Sequence, residues 1–405
     1  MAAKRRWKYI KMWQGKTELA EEDLPPIKDN QILVKIELSG LCGTDLHVWE
    51  AGYGPHRMSG AAEYPLVPGH EYVGIIEEKG PKADEVMFYH TETPEVGDRI
   101  WWAPDVTCGS CVFCRYYNQH AHCPNAWFYG FCPPRMGPRG GWATYVILEP
   151  RTDIWKLPPE VTAKEGVLTE PLAVSLRSVS RALNLLSVQA TAEGIPTPSL
   201  FAVYGCGTIG LGDILLLKTL VPYSKVIALD LKKHRLEAAK KLGADYTINV
   251  AETTREERIK MIKEIADSLE FEGRWPGKIG WATKWGVDAV FDCTGVNAKD
   301  VVPEAIEITR VHGVLVETGA YVWKPAGQFT IDPHEICTRE MYFVGHWAYP
   351  VHQPERAAKL VMKGILKNKA DIIVTHELPL EKHEEAIRMY QAREPGIKIV
   401  FNPWL

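Results

Sequence analysis

The alternation of apolar and polar positions changes character part-way along the chain. Between residues 31 and 150 it comes as short runs closed by Gly or Pro: QILVKIELSG (31–40), EYVGIIEEKG (71–80) and GDRIWWAP (97–104). Such runs, bounded by turn residues, predict strands. From about residue 170 the rhythm becomes strand, glycine turn, helix, strand. SLFAVYG (199–205), KVIALD (225–230), VDAVFDCTG (287–295) and GVLVETGAY (313–321) carry apolar runs, as strands buried on both faces do. TIGLGDILLLKTL (208–220) repeats its apolar residues at helical spacing, and KKHRLEAAKKLGA (232–244) predicts a helix ending at Gly243. Strands alternating with helices imply a parallel sheet with right-handed crossovers. A mostly β domain therefore precedes an α/β domain.

Two stretches interrupt these patterns. Residues 81–95 read as a polar loop. Residues 251–286 open on Thr253-x-x-Glu256, which reads as a capping box. They continue as a helix with Ile259, Ile262, Ile265 and Leu269 on one face, then a segment holding Trp275, Trp281 and Trp285.

Composition narrows the class. The chain has 405 residues, enough for two domains, with 46% apolar and 24% charged residues. A formal charge of −4 gives no electrostatic case for nucleic acid or an anionic membrane. Lys4-Arg5-Arg6 is followed by no apolar h-region, and no run approaches eighteen apolar residues. Nine cysteines clustered at ligand spacing fit a reducing compartment, so the cytoplasm is the expected location.

The cysteines carry the first chemistry. Cys108, Cys111 and Cys114 recur every third residue and Cys123 follows, a spacing that suits four thiolates around a tetrahedral structural zinc. His122 is the alternative fourth ligand, and a reduced cluster without metal the alternative use. A second set is scattered: Cys42 in LCGTDLH, His70 and Glu71 in PGHEYVG, Glu170 in LTEPLAV. Together they predict a catalytic zinc with an open position. Three anions around one zinc would leave the centre negative, so Cys42 and His70 are expected as constant ligands and at least one of Glu71 and Glu170 as labile or water-linked. Thr44 and His47 follow Cys42. A hydroxyl beside the metal can accept an alcohol proton and pass it to an imidazole; a capping Thr and a surface His are the plainer alternative.

FAVYGCGTIGLG (201–212) supplies Gly205, Gly207 and Gly210 between a strand and a helix, the setting in which G-x-G-x-x-G binds a dinucleotide. The amides around Thr208 and Ile209 would face the phosphates. Asp230 closes the next strand, where a carboxylate accepts from ribose hydroxyls and repels a 2′-phosphate, favouring NAD over NADP. Lys232, Lys233 and Arg235 soften that preference. Arg235 and Thr294, in FDCTG, complete the candidate cofactor residues.

CGTDLH, PGHEYVG, CGSCVFC, EPLAV, GCGTIG, FDCTG and the tail HELPLEKHEEAI…GIKIVFNP, spread over nearly the whole chain, together resemble the zinc-dependent medium-chain alcohol dehydrogenase superfamily. The resemblance implies an α/β architecture: a GroES-like β-rich catalytic domain of residues 1–171 and 340–405, interrupted by a Rossmann NAD-binding domain of residues 172–339, with the active cleft between them. It also implies an enzyme with one catalytic and one structural zinc, Glu71 among the catalytic residues, and a homo-oligomer, dimer or tetramer. Glu170, where ethanol-type enzymes have a cysteine, resembles the sorbitol, threonine and 2,3-butanediol dehydrogenase branch, so the expected reaction is oxidation of a secondary alcohol or polyol to a ketone. A primary or aromatic alcohol dehydrogenase and a non-catalytic dinucleotide sensor or scaffold are the rival readings. Trp127, Phe128, Tyr129 and Trp142 are expected near the cleft, as packing residues or substrate contacts.

Overall fold

The structure, a computed structural model, describes residues 5–51, 64–189, 199–269, 286–295, 298–319, 330–350, 352–393 and 396–405. Two compact units divide the chain: Met1–Ala173 with Ala348–Leu405, and Val174–Trp347 between them.

The first unit is built on an eight-stranded sheet in which Ile32–Gly40 is the hub. It pairs antiparallel with Tyr72–Lys79, Tyr145–Leu148 and Lys398–Phe401. Alternate positions of Ile32–Gly40 bury Ile32, Val34 and Ile36, where Tyr72, Trp102 and Tyr129 meet them. Tyr72 and Trp102 stack with ring centres 4.1 Å apart. The sequence patterns left an N-terminal hairpin unread: Arg6–Trp13 pairs with Lys16–Asp23 along its full length. Its inner face sets Trp7 and Tyr9 against each other at 3.7 Å. The 81–95 stretch is not wholly loop either, since Phe88–Tyr89 pairs parallel with Asp153–Lys156. Two residues are too few to show a periodicity.

The second unit is a six-stranded parallel sheet. In chain order its strands are Leu200–Tyr204, Lys225–Asp230, Tyr246–Asn249, Val287–Asp292, Thr309–Glu317 and Tyr342–Gly345. In space they run third, second, first, fourth, fifth, sixth. That is the doubly wound order whose reversal point, between first and fourth strands, opens a crevice at the carboxyl ends. Tyr342–Gly345 pairs with the fifth strand, so the chain returns to the first unit at Ala348, later than the expected residue 340. A short terminal strand after a loop gave no signal of which sheet it would join.

The helix after the third strand also starts one residue late. It spans Arg255–Ser268 behind Thr254, whose hydroxyl accepts from the Glu257 amide at 3.2 Å while the Glu257 carboxylate accepts from the Thr254 amide at 2.7 Å. Thr-Thr-Arg-Glu-Glu offers two overlapping capping boxes. The expected Thr253 box loses because its hydroxyl donates to the Asn249 carbonyl at 2.8 Å. The helix seats Ile262 in the core, with Ile259, Ile265 and Leu269 packed against it. Trp275, Trp281 and Trp285 lie outside the described residues.

Candidate metal centres and cofactor site

Two groups of side chains in the first unit bring metal donors together. The sulfurs of Cys108, Cys111, Cys114 and Cys123 lie within 4.8 Å of one another. Cys108 and Cys114 are 4.0 Å apart, Cys111 and Cys114 3.4 Å, close to the ~3.8 Å edge of a tetrahedron with zinc–sulfur bonds of ~2.3 Å. A single turn of helix, Val112–Arg115, lets the third cysteine swing back onto the first. The Ser110 hydroxyl and nearby amides draw the Cys108 thiol down to about 5, while burial pushes Cys123 up to about 12. One thiol of the group is thus already prepared as a thiolate. The His122 ring instead stacks on Phe113, centres 5.8 Å apart, and is outside the four-donor group.

The second group is Cys42, His70 and Glu71, also within 4.8 Å of one another. Cys42 immediately precedes the helix Gly43–Ala51, and His70 and Glu71 lead into Tyr72–Lys79. Burial disfavours a charged His70, but Asp45 and Cys42 outweigh it and lift the imidazole well above its ordinary range. The same anionic neighbours would also attract a metal cation. His70 Nδ1 is buried against an Asp45 oxygen at 3.5 Å, and the thiol–imidazole–carboxylate donor set suits zinc. Glu170 is not in this group. It lies buried at the head of Thr169–Gln189, close enough to feel His70 and Glu71, with the Tyr349 hydroxyl as a partner. Burial pushes its carboxyl up to about 7, the His70 charge opposing and Glu71 adding.

Thr44 places its hydroxyl 3.6 Å from the Cys42 sulfur. His47, on the same helix, is lowered from the ordinary imidazole value, mainly by burial, with Glu50 opposing.

In the second unit the glycine turn is tailored to a close ligand. Gly205 has φ +85°, and a side chain on Gly210 would strike the Gly205 carbonyl. At Gly207 an added Cβ would meet nothing, leaving open space over the turn. The helix Thr208–Leu220 starts at Gly207 with no side chain capping it, so the Thr208 and Ile209 amides stand at an anion-binding N-terminus. Asp230 ends the second strand beside this turn, accepting from the Cys206 amide at 2.7 Å and the Lys232 amide at 2.8 Å. Arg235 sits on the helix that follows, Lys233–Lys241. Thr294 gives both its amide and hydroxyl to Asp292, at 3.0 and 2.8 Å.

Comparisons with known proteins agree on what these sites belong to. Residues 28–159 match the alcohol dehydrogenase GroES-like domain, and residues 208–363 match the zinc-binding dehydrogenase family. Over 389 residues the chain is 30% identical to the erythritol/L-threitol dehydrogenase of Mycolicibacterium smegmatis, covering 95% of this chain and 94% of that one. The chain belongs to the zinc-dependent medium-chain alcohol dehydrogenase superfamily. Sorbitol dehydrogenase of Arabidopsis thaliana is 27% identical over 94% of this chain and 90% of its own length. Among solved structures, 2R,3R-butanediol dehydrogenase of Bacillus subtilis is 25% identical with a TM-score of 0.72, covering 98% of this chain and 99% of that one. An alcohol dehydrogenase of Thermotoga maritima, 23% identical over 98% of this chain and 99% of its own, shares the fold at a TM-score of 0.80.

For this dehydrogenase, three residues of the Cys42 centre escaped the sequence reading. The Lys398 ammonium, 2% exposed, meets Glu71 at 2.5 Å and the Leu41 carbonyl at 3.1 Å. Asp45 accepts from the Cys42 amide at 2.9 Å and sets its other oxygen 3.5 Å from His70 Nδ1. Phe131 stacks on the His70 ring at 5.3 Å. A lysine inside the apolar run of GIKIVF was the one available signal. Trp142 and Tyr129 are fully buried: the Trp142 indole donates to the Gly40 carbonyl at 3.0 Å, and the Tyr129 hydroxyl pairs with Thr152 at 2.8 Å. Both are packing residues. Trp127 and Phe128 are half-buried.

Proposed function

We propose that this dehydrogenase oxidises a secondary alcohol or polyol to the ketone, with NAD as hydride acceptor and two zinc ions, one at each donor group. The observation that carries the reading is Cys42, His70 and Glu71 assembled within 4.8 Å of one another, with a hydroxyl beside the sulfur. Relatives named for erythritol, threitol, sorbitol and butanediol support the substrate class.

Bound zinc supplies Lewis acidity toward the alcohol oxygen, and bound nicotinamide supplies a hydride acceptor. The protein's own groups do the rest. Cys42 and His70 hold the metal, with one carboxylate as the adaptable partner. Lys398 changes the charge count that makes three anions excessive, because it neutralises Glu71 and restores balance. Asp45 and Phe131 fix the His70 ring in place. Thr44 receives the alcohol proton at its hydroxyl, and His47, kept neutral by its burial, is the acceptor beyond it.

Four cysteines at the other group would hold a structural zinc with no open position. The Asp230 carboxylate faces the ribose end of the glycine turn, and its charge favours NAD over a 2′-phosphorylated cofactor. A zinc-binding dehydrogenase of Sinorhizobium meliloti, 25% identical with a TM-score of 0.76, was solved with NADP bound, so the preference calls for direct measurement.

The test is a screen of polyols, vicinal diols, hydroxy amino acids and primary and aromatic alcohols, followed by nicotinamide absorbance with each cofactor, alongside zinc analysis. Two zinc per chain with turnover of polyols or secondary alcohols supports the reading. Turnover of primary alcohols alone overturns the substrate class. One zinc and no turnover would make the chain a dinucleotide-binding scaffold.

A further inference from the structure

The fourth and fifth strands of the parallel sheet end on acids, Asp292 and Glu317, which are directly paired across the ladder. Neighbouring strands lie about 4.8 Å apart, so two carboxyl groups are held side by side. Asp292 is fully buried and takes the two donors of Thr294. Glu317 has both carboxyl oxygens shut off from solvent, and the group it meets there is the Asp292 carboxyl. Burial, and after it the Asp292 charge, pushes the Glu317 carboxyl up to about 9. At neutral pH Glu317 therefore keeps its proton, and has it to give up once a cation lies against the two acids.

Two acids buried side by side are unfavourable and demand an explanation. Position supplies one. In the doubly wound order each half of the sheet takes one nucleotide, across the carboxyl ends. Asp230, on the second strand, places the adenosine ribose over the first half. The other half, where the fourth and fifth strands end, is left for the nicotinamide. Only the oxidised nicotinamide ring is a cation.

We propose that Asp292 and Glu317 form an acidic receptor for the nicotinamide half of the cofactor, biasing the chain toward the oxidised form. The proposal rests on the nicotinamide-cofactor reading above and adds a redox-state preference to it. A like pair that only shared a proton inside the fold would be indifferent to the oxidation state of what binds.

The experiment measures dissociation constants of NAD⁺, NADH and AMP by calorimetry on the full-length, zinc-loaded protein. The variant joins Asp292→Asn to Glu317→Gln, which removes the charge and keeps polar atoms of the same size. Loss of one charge near the ring should weaken NAD⁺ about tenfold relative to NADH. AMP, which reports only the adenosine half, should be unchanged. Should the double variant fail to fold, Glu317→Gln alone reads the same ratio, with about a threefold shift expected. Equal losses for NAD⁺ and NADH, or an unchanged ratio, overturn the acidic receptor while leaving the cofactor reading intact. Wild-type protein that binds neither dinucleotide overturns both.

Discussion

The two donor groups of the first unit reach similar chemistry by opposite routes. The cysteine group draws all its donors from residues 108–123, a stretch with two short helical turns and little buried surface, where Tyr116 and Tyr117 are exposed. The Cys42 group is seated in a finished structure. Its donors come from two distant segments, its lysine from the last strand, and Leu41 and Trp142 of one apolar cluster lie beneath it. A loop that buries too little to hold itself would gain most from a bound metal. A centre built on a packed sheet can lose its metal and keep its shape. Loss of donors should therefore show as lost structure in one place and lost chemistry in the other.

The sharpest break is expected at Cys42. Cys42→Ala or His70→Ala should lower kcat by ~10³-fold or more, the scale of several kcal/mol of Lewis-acid stabilisation. Melting temperature and NAD binding should stay near wild type, with zinc falling by one per chain. A Cys42→Ala enzyme with near-normal turnover would erase the distinction between the two groups.

Lys398 comes next because it joins chemistry to packing. Lys398→Met strands the Glu71 carboxylate, and breaking a buried ion pair costs about 3–5 kcal/mol. Thermal melts should show that loss, and zinc titration should show altered affinity at the Cys42 centre alone. Lys398→Arg should restore most of both. A Met variant as stable as wild type would mean that Glu71 does not need its cation.

Cys111→Ser tests the loop. About 3 kcal/mol lost from a unit of this size corresponds to a fall of roughly 6–12 °C in melting temperature. Hydrogen exchange should rise across residues 107–126, with turnover per folded molecule little changed. A variant that melts like wild type with one zinc fewer would show that the loop holds itself.

The smallest effect concerns pH. His47 and His383 are both lowered from 6.5, burial being the main cause. A histidine whose folded pKa is depressed contributes stability that is complete above its unfolded value and is lost as pH falls through the folded one. Melting temperature should therefore drop modestly below pH ~6.5, and kcat/KM should fall in the same window as His47 takes up a proton. His47→Gln should flatten the kcat/KM profile; an unaltered profile would remove His47 from the proton path.

Local features were open to reading from the chain. The cysteine group is written in consecutive spacing, so no distant contact was needed to anticipate it. The glycine turn was legible for the same reason: strand, G-x-G-x-x-G, helix and the acid at 230 all fall within about thirty residues. Even here neighbours decided the fine register, as when the Asn249 carbonyl took Thr253 and handed the cap to Thr254.

What the sequence determined by itself was the donor inventory, the two sheet types and the glycine turn between strand and helix, because these depend on periodicity and on residues close in the chain. Tertiary structure decided which partners the scattered donors take. It brought Lys398 onto Glu71 across 327 positions, kept Glu170 out of the Cys42 group, and set Asp292 beside Glu317. Hydropathy records that a segment is a strand but not which strand lies next to it. A lysine in such a segment reads as exposed until the fold supplies the buried carboxylate that makes its burial tolerable.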